Sequence, residues 1–314
     1  AEHPAAIRRQ VSLCEAVYEG ETAVEGLRAV RIETLAQAEA IWEQNAVPVL
    51  VDPQGKSIAP TKPDVLVDAI LAKKNLGTTR DMAPLTIALG PGFTAGQDVD
   101  VVVETIGGAT IALDYTRRAL NAGKSVVTSN KELVATHGRR LLDLAAQNNA
   151  VYLFEASVGG GIPILRPLSE CMSANEILEI CGILNGTANY IFTRMVKDHV
   201  PFAEALAGAQ ANGYAEQDPS ADVEGKDTCR KLCILSSIAY GWHLLPDQVP
   251  TTGITKITLA DEAYAAAAGK SLKLLGRSIA REDGTICAYV EPHFVGNQDP
   301  LAGVEDVFNA IKVK

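Results

Sequence analysis

The stretch of sequence richest in reactive side chains is GYAEQDPSADVEGKDTCRKL, at residues 213–232. Its acids and the lysine that follows them are Glu216, Asp218, Asp222, Glu224, Asp227 and Lys231. Asp227 and Lys231 stand four residues apart and would share one face of a helix, and Asp222 and Lys226 have the same spacing. Carboxylates and an amine in this pattern suit ammonium binding and proton transfer. The pattern is also typical of a solvated helix start, where acids lie near the positive end of the helix dipole.

Three further polar segments lie next to predicted strands or turns. Lys131, in SNKELVATHG, follows a strand, and open α/β sheets bind ligands at the carboxyl ends of their strands. Gly186 and Thr187, in GILNGTANYI, lie at a strand-to-helix turn whose amide groups suit a carboxylate. Glu155, in FEASVGGGIPI, either contributes to an oxygen-ligand site for a hard cation or caps the next helix. Together these groups suit a zwitterionic substrate, with a lysine exchanging a proton with its hydroxyl or carbonyl group.

An alternation of strands and helices in the first half of the chain must position these side chains. Short apolar runs predict strands at 11–20, 46–52, 63–71, 84–90, 100–105, 124–130 and 151–157. Amphipathic spacing predicts helices at 34–46, 109–122 and 132–149. This order indicates βαβ units and a parallel sheet.

The second half has a different pattern, which indicates an α+β layer. Helices are expected up to about 173 and then at 187–197, 201–212 and 222–241, with a strand at 177–187. Two antiparallel strands joined by an Asp283-Gly284 turn are expected near the end.

The composition excludes several classes of protein. Lys and Arg number 28 against 38 Asp and Glu, so a net charge of −10 argues against nucleic acid and membrane partners. No apolar run approaches the roughly 18 residues that a membrane span needs. The first residues, AEHPAAIRRQ, lack the features of a secretory signal, and they are typical of a sequence that starts inside a longer chain. Six scattered cysteines lack zinc-type pairing and fit a reducing, cytoplasmic compartment, and Cys229 and Cys233, in an apolar helical pattern, are expected to be buried thiols.

A dinucleotide-binding site is expected to show a strand, a GxGxxG turn and a helix in this order, with an acidic residue about 20 positions later. The nearest match runs from Gly90 through Gly92 to Gly96, but a predicted strand follows it instead of a helix. We therefore favour a turn with another role, and a nucleotide fingerprint is the alternative.

From about residue 99 to its end, the sequence resembles homoserine dehydrogenases. The matching motifs are DVVVETIGG, GKSVVTSNKELVATHG, FEASVGGGIPI, GILNGTANYI, GYAEQDPSADVEGKD and GITKIT. The resemblance implies an oxidoreductase of aspartate-derived amino-acid biosynthesis, which interconverts L-homoserine and L-aspartate 4-semialdehyde by hydride transfer with NAD or NADP. It also implies a homodimer formed through the substrate domain.

The same resemblance assigns roles to single residues. The active-site lysines would be Lys131 and Lys231, one of which transfers a proton at the substrate oxygen. Substrate contacts correspond to Gly186, Thr187, Tyr214, Glu216, Asp222 and Asp227. The nicotinamide-side loops correspond to Thr105, Gly107, Ser129, Asn130 and Lys131. A sodium site corresponds to Glu155, Val158, Gly160 and Ile162, mostly through backbone carbonyl groups.

The fold class that follows is α/β, with an incomplete Rossmann-like parallel-sheet domain followed by an α+β substrate and dimerisation domain. The expected bounds are 99–157 for the partial nucleotide-binding domain and 158–314 for the substrate domain. Because the GxGxxG cradle is missing, we expect weaker NAD(P) binding, at about 1.5–3 kcal/mol for each lost charge-assisted contact, and whether the chain is active stays open.

Residues 1–98 resemble another family, the accessory proteins of selenium-dependent molybdenum hydroxylase systems. The motifs are AEHPAAIRRQVSLCEAVYEGETAVEG, VPVLVD and KPDVLVDAILAKKNLGTTRDMAPLTIALGPGFTAG. The two resemblances meet near 96–104, which leaves a gene fusion, a recombination or an engineered chimera open. The alternative function is a non-catalytic accessory or maturation role, in which Lys73, Lys74, Asn75 and the GPGFTAG loop hold an anion. A folded dimeric scaffold without activity is the third interpretation.

Overall fold

The computed structural model describes residues 12–24, 26–70, 74–90 and 92–314. Within these residues, no helix is both long enough and apolar enough to cross a membrane. The chain divides into two compact units: Ala1–Val102 with Gln210–Tyr214, and Val103–Ala209 with Ala215–Lys314. Lys73 and Pro91, which belong to the predicted anion-holding segment, lie outside the described residues.

The described residues form short elements in the first unit and longer ones in the second. The helices are α1 (Ala16–Glu19), α2 (Ala38–Trp42), α3 (Ile58–Thr61), α4 (Thr110–Asn121), α5 (Lys131–Gln147), α6 (Gly186–Asp198), α7 (Phe202–Ala211), α8 (Ser220–Val223), α9 (Lys226–Tyr240) and α10 (Leu259–Ala267). The strands are β1 (Glu21–Val24), β2 (Leu27–Ile32), β3 (Val47–Leu50), β4 (Val65–Asp68), β5 (Leu85–Leu89), β6 (Val101–Glu104), β7 (Val126–Thr128), β8 (Tyr152–Leu153), β9 (Glu179–Ile183), β10 (Lys270–Ala280), β11 (Ile286–Gly296) and β12 (Ala310–Val313).

Parallel pairing dominates the first half of the chain and antiparallel pairing the second. In the first unit, β1 and β2 form an antiparallel hairpin, β3 lies parallel to β2, and β4 lies parallel to β5. In the second unit, β7 pairs in parallel with both β6 and β8. A separate antiparallel sheet has the order β11-β10-β9-β12. These parallel strands and the separate antiparallel sheet confirm the predicted α/β fold class.

In the segment predicted as a strand at 11–20, the described residues from 12 onward form helical turns instead. A 3-10 turn at Leu13–Glu15 leads directly into α1, which ends at Gly20 with a φ of +83°. The Ser12 hydroxyl group accepts a hydrogen bond from the Cys14 amide and so starts the turn. Capping residues at both ends therefore decide the conformation of a run whose composition suits a strand.

The glycine-rich segment after β5 is a turn that leads into β6. The Gly96 amide donates a hydrogen bond to the Val99 carbonyl group at 2.7 Å, which closes the turn. A Cβ atom on Gly92 would lie 2.6 Å from the Lys74 backbone, so glycine is needed there for two backbone segments to approach each other. Since a strand and not a helix follows these glycines, the segment has the arrangement expected of a turn.

Helices α4 and α5 pack on the parallel strands of the second unit and on each other. In α4 the buried residues Ala112, Thr116 and Leu120 recur every four positions, which gives the helix one inward face. Helix α5 begins at Lys131, just after β7 ends at Thr128. Its first turn therefore lies at the carboxyl end of a parallel strand, as predicted.

The antiparallel sheet is built on the long hairpin of β10 and β11. The predicted turn joins these strands, with Gly284 at a φ of +81° and the Asp283 carboxylate accepting a hydrogen bond from the Thr285 amide at 2.9 Å. Helices α6, α9 and α10 all contact β10. This packing holds the first turns of α6 and α9, which carry the site described below, against one strand.

The helix predicted to run to about 173 is shorter and wider than expected. A π-helical segment at Pro167–Cys171 takes its place, and the Met172 amide closes it on the Pro167 carbonyl group at 2.9 Å. Pro167 stands at the start of this segment, where proline is tolerated because its missing amide hydrogen would have no partner within the helix.

The helix predicted over 222–241 is broken at Gly225, whose φ is +79°. Helix α8 ends before this residue and α9 begins after it. Asp222 and Lys226 therefore do not share a helix face, and their predicted pairing is wrong. The Lys226 amine instead forms an ion pair with Glu224 at 2.5 Å.

Candidate active site

A buried carboxylate, Asp227, is the centre of the candidate active site. Its side chain is only 3% exposed and lies in the first turn of α9. The Lys131 amine lies 2.6 Å from Oδ1, and the Lys231 amine lies 2.7 Å from Oδ2. Lys231 follows four residues later on α9, whereas Lys131 begins α5, which packs against α9. One carboxylate therefore brings both predicted active-site lysines together.

Asn185 ties this carboxylate to a second one. Its side-chain amide donates hydrogen bonds to Asp222 Oδ1 at 2.7 Å and to Asp227 Oδ2 at 2.8 Å. Its side-chain oxygen accepts a bond from the Ala188 amide at 2.7 Å and so caps the start of α6. Because one buried side chain makes all three bonds, α6, α8 and α9 hold the two acids in fixed positions.

The two acids have different electrostatic surroundings. Burial would raise the pKa of Asp227, but the charges of Lys231 and Lys131 outweigh it and lower the pKa to about 2. Burial raises the pKa of Asp222, against the hydrogen bond from Asn185, and the negative charge of Asp227 adds to the rise. Asp227 is therefore a permanent anion at neutral pH, and Asp222 is the carboxyl group that takes a proton more readily.

The two lysines are also placed differently. Lys231 is 14% exposed, and its amine donates a second hydrogen bond to the Leu184 carbonyl group at 2.7 Å. Lys131 is 41% exposed at its side chain. The Lys131 amine is thus the more accessible of the two, and the Lys231 amine is the more firmly held.

The predicted nicotinamide-side residues lie together at the carboxyl ends of β6 and β7. Asn130 caps α5 by accepting a hydrogen bond from the Leu133 amide at 3.0 Å, and its own amide binds the carbonyl groups of Ile106 and Gly108 at 2.7 Å each. The Ser129 amide binds the Glu104 carbonyl group at 3.3 Å. Thr105 and Gly107 lie in the loop that these bonds hold, so all the predicted loop residues share one edge.

Gly107 gives this edge room for a ligand. A Cβ atom on Gly107 would have no neighbour within 4 Å, and this glycine does not have a positive φ. Neither the backbone conformation nor packing within the described residues therefore requires glycine here. The open surface fits the close approach of a cofactor to the loop between β6 and α4.

The predicted substrate residues divide between the two units. Gly186 and Thr187 begin α6 in the second unit, and a Cβ atom on Gly186 would lie 2.4 Å from the Val307 carbonyl oxygen. Only glycine therefore fits at the start of this helix, whose positive dipole end suits an anion. Glu216 belongs to the second unit and is exposed, and Tyr214 belongs to the first.

At the predicted sodium site, the carboxylate of Glu155 binds backbone amides. Its two oxygens accept hydrogen bonds from Leu165 and Arg166 at 2.9 Å each, which is the helix-capping arrangement left open above. Val158, Gly160 and Ile162 lie in or beside the glycine-rich turn that follows. No group of three or more His, Cys, Asp and Glu side chains among the described residues is arranged to hold a metal ion. A sodium site formed by backbone carbonyl groups stays a prediction.

Sequence reasoning missed three groups of the site. They are the Asn185 side chain, the Leu184 carbonyl group and Glu104, whose carboxylate accepts hydrogen bonds from Ile106 and Thr128 at 2.5 Å each. Asn185 carried a usable signal, since asparagine directly before a predicted helix is a favoured cap. The Leu184 carbonyl group carried none, because any residue type supplies one.

Family models of homoserine dehydrogenase match most of the chain. The model of the homoserine dehydrogenase NAD binding domain matches residues 20–155, and the model of homoserine dehydrogenase itself matches residues 163–314. The first match includes much of residues 1–98, for which the accessory-protein resemblance stays a prediction.

Individual homoserine dehydrogenases are similar to the chain in sequence and in structure. The Bacillus subtilis enzyme is 43% identical over 217 residues, or 69% of this chain and 50% of that protein. A crystal structure of the S. aureus enzyme matches with a TM-score of 0.64 and 32% identity over 91% of this chain and 70% of that one. A hyperthermophilic archaeal homoserine dehydrogenase in complex with NADPH matches with a TM-score of 0.59 and 28% identity, over 71% of this chain and 65% of that one.

The chain spans about half the length of the curated relatives it matches. The two family models nevertheless cover both of its halves, and the S. aureus structure is matched over more than two thirds of its length. The residues gathered around Asp227 lie within these matched regions. This chain belongs to the homoserine dehydrogenase family.

Proposed function

We propose that this chain interconverts L-homoserine and L-aspartate 4-semialdehyde with NAD(P). The observation that carries the proposal is the buried Asp227 carboxylate shared by the Lys131 and Lys231 amines at 2.6 and 2.7 Å. The Lys131 and Lys231 ammonium groups carry positive charge and hydrogen-bond donors, which stabilise negative charge developing on a substrate oxygen.

The ends of the substrate would be bound by the groups around this pair. Its carboxylate would lie at the start of α6, where Gly186 and Thr187 stand at the positive end of the helix dipole. Its ammonium group would lie against Asp222 and Glu216, which are carboxylates of the same unit. Such binding places the side-chain oxygen of the substrate near the two lysine amines.

Proton transfer in this proposal belongs to Lys131. Its amine is the more accessible one, and it stands next to Ser129 and Asn130 at the nicotinamide-side edge. In the reduction direction the Lys131 ammonium group donates a proton to the carbonyl oxygen of L-aspartate 4-semialdehyde, and in the oxidation direction the neutral Lys131 amine accepts the hydroxyl proton of homoserine. Lys231, held by Asp227 and Leu184, would bind the same oxygen and stabilise its charge.

NAD(P) would supply the hydride acceptor for this reaction, as the NADPH in the archaeal relative suggests. Thr105, Gly107, Ser129 and Asn130 would hold it, because they line one edge and Gly107 leaves that edge open. The expected weakness of NAD(P) binding stays a prediction, and the dependence of the rate on NAD(P) concentration tests it.

The test is homoserine-dependent reduction of NAD⁺ and NADP⁺ by the full chain, followed by the absorbance of the reduced nicotinamide. We expect the parent chain to turn over, and we expect the rates of Lys131→Ala and Lys231→Ala to be lower by about 10²-fold or more. The matched control is Lys226→Ala, which removes an exposed lysine of the same helix that forms an ion pair with Glu224.

Equal turnover in all of these variants would contradict the proposed site. If the parent chain binds homoserine but shows no turnover, the proposed activity is contradicted and only the substrate-binding site is supported. The accessory-protein alternative would be supported if the chain bound selenium or molybdenum cofactor instead.

A sodium ion near Glu155 and a homodimer belong to the same proposal. Backbone carbonyl groups in the glycine-rich turn of Val158, Gly160 and Ile162 are of the type that binds sodium. A mass in sedimentation twice the 33.2 kDa of the chain would support the dimer, and a mass of one chain would contradict it.

A further inference from the structure

A second cavity, of about 230 Å³, lies in the second unit. Its lining shares no residue with the cluster around Asp227. Helices α6 and α10, strand β10 and the loop before β12 bound it. Two oppositely charged side chains of this lining are buried: Glu262 on α10 is 8% exposed, and Lys273 on β10 is 4% exposed.

These two charges do not satisfy each other. Within the part of the chain that the structure describes, no ion pair joins them within 4.0 Å, and Glu262 Oε1 is a buried oxygen without a hydrogen-bond partner. The Lys273 amine donates to the Asn189 side-chain oxygen and to the Val304 carbonyl group, which leaves one of its three hydrogens. Burial raises the pKa of Glu262 to about 7 and lowers that of Lys273, and the opposite charges around each group offset only part of this effect.

A buried carboxylate oxygen without a partner costs stability, so its retention calls for a ligand or water that supplies the missing donor. The cavity offers an acceptor at Glu262 and a donor at Lys273. The lining also includes an apolar wall formed by Phe192, Met195 and Leu272. A ligand that uses all three features carries an ammonium group, a carboxylate and a small apolar group.

We infer that this cavity binds a free α-amino acid with a small apolar side chain. Its ammonium group donates to Glu262, its carboxylate accepts from Lys273, and its side chain packs on the apolar wall. At the rim, the ion pair of Lys197 and Glu305, at 2.5 Å and about half exposed, borders the entrance. The inference is independent of the proposed dehydrogenase activity, because it concerns other residues and a binding measurement tests it.

The test is isothermal titration of the full chain with L-valine, isobutylamine and isovalerate. Isobutylamine keeps the apolar group and the ammonium group of valine, and isovalerate keeps the apolar group and the carboxylate. We expect valine to bind at least about tenfold more tightly than isobutylamine or isovalerate, since each lost charge-assisted contact costs about 1.5 kcal/mol or more. Equal binding of valine and isovalerate would overturn the inference, and so would the absence of valine binding at millimolar concentration.

Variants separate this site from general surface binding. Glu262→Gln should weaken valine binding about tenfold or more and leave isovalerate binding unchanged, whereas Glu204→Gln on α7, which is not in the cavity lining, should change neither. Lys273→Met should weaken valine and isovalerate but not isobutylamine. If Lys273→Met does not fold, the titrations of Glu262→Gln with valine and isovalerate still test the inference. Valine binding that is unchanged in Glu262→Gln overturns it.

Discussion

Asp227 links the stability of the fold to the chemistry of the site. Its pKa of about 2 lies below the ordinary value of 3.8, so its ionised form stabilises the folded state. A group with a lowered folded pKa contributes this stability above its unfolded value, and loses it as the pH falls through the folded one. The difference corresponds to about 2 kcal/mol, which is present at neutral pH and lost between about pH 4 and pH 2.

A comparison of the parent chain with Asp227→Asn tests this link. We expect the parent to lose about 2 kcal/mol more of its free energy of unfolding than the variant between about pH 5 and pH 2. At neutral pH the variant should be less stable by about 3 kcal/mol or more, because two lysines lose their buried partner. Urea unfolding at each pH measures both quantities. Parallel pH profiles for the two proteins would show that Asp227 is not held as an anion.

Spacing along the chain predicted only part of this cluster. Asp227 and Lys231 lie on one helix four residues apart, a local relation that the sequence expresses directly. Lys131 comes from another helix, and its distance to Asp227 depends on tertiary packing of α5 on α9. Its position after a predicted strand made Lys131 a candidate ligand-binding residue, and the family resemblance paired it with Lys231. Asn185 was overlooked although it has the position of a helix cap.

At the scale of elements, a break between two helices separates Asp222 from Asp227. Gly225 makes this break with a φ of +79°, and a Cβ atom there would lie 3.1 Å from Thr251 Cγ2 and 3.3 Å from Val290 Cγ1. Periodicity alone favours one continuous helix, because a single glycine is tolerated within a helical pattern. The left-handed conformation of Gly225 is a tertiary property, so the sequence expectation of one helix was wrong.

Gly225→Ala should therefore destabilise the second unit by about 1–2 kcal/mol or more, through backbone strain and through contact with β11. Gly241→Ala is the matched control at the other end of α9, since its φ is +70° and a Cβ atom there would have no neighbour within 4 Å. Urea unfolding should show the larger loss for Gly225→Ala. Equal losses would mean that strain alone acts at both positions.

The start of α5 connects helix capping to the cofactor edge. Asn130→Ala removes the cap and the two bonds to Ile106 and Gly108, so we expect a loss of about 1–2 kcal/mol in stability and a raised KM for NAD(P). Asn148→Ala at the other end of α5 removes a single bond to Leu144 and should leave that KM unchanged. A KM that is the same in both variants would contradict a role for Asn130 in positioning the loop.

At the scale of the whole molecule, periodicity predicted the fold class well. Alternating apolar runs and amphipathic helices lead to the parallel strands, and the Asp283-Gly284 turn leads to the antiparallel hairpin, because both signals are local. The strand predicted at 151–157 is only two residues long as β8, and the π-helical form of Pro167–Cys171 was not predicted, since packing and not composition sets these features. Local signals thus specified the elements, while tertiary contacts specified the site.

The second unit contains most of the groups proposed to bind homoserine, namely Lys131, Gly186, Thr187, Glu216, Asp222, Asp227 and Lys231. We therefore expect L-homoserine to raise the melting temperature of the full chain without any NAD(P), with about 2.7 kcal/mol of stabilisation at 100 times its dissociation constant. Glu216→Gln should reduce this shift, because it weakens the contact with the ammonium group, whereas Glu204→Gln on α7 should not. Thermal unfolding over a homoserine titration measures the shifts. A shift as large in Glu216→Gln as in the parent would remove Glu216 from the substrate site, and no shift in the parent would mean that homoserine needs the cofactor in order to bind.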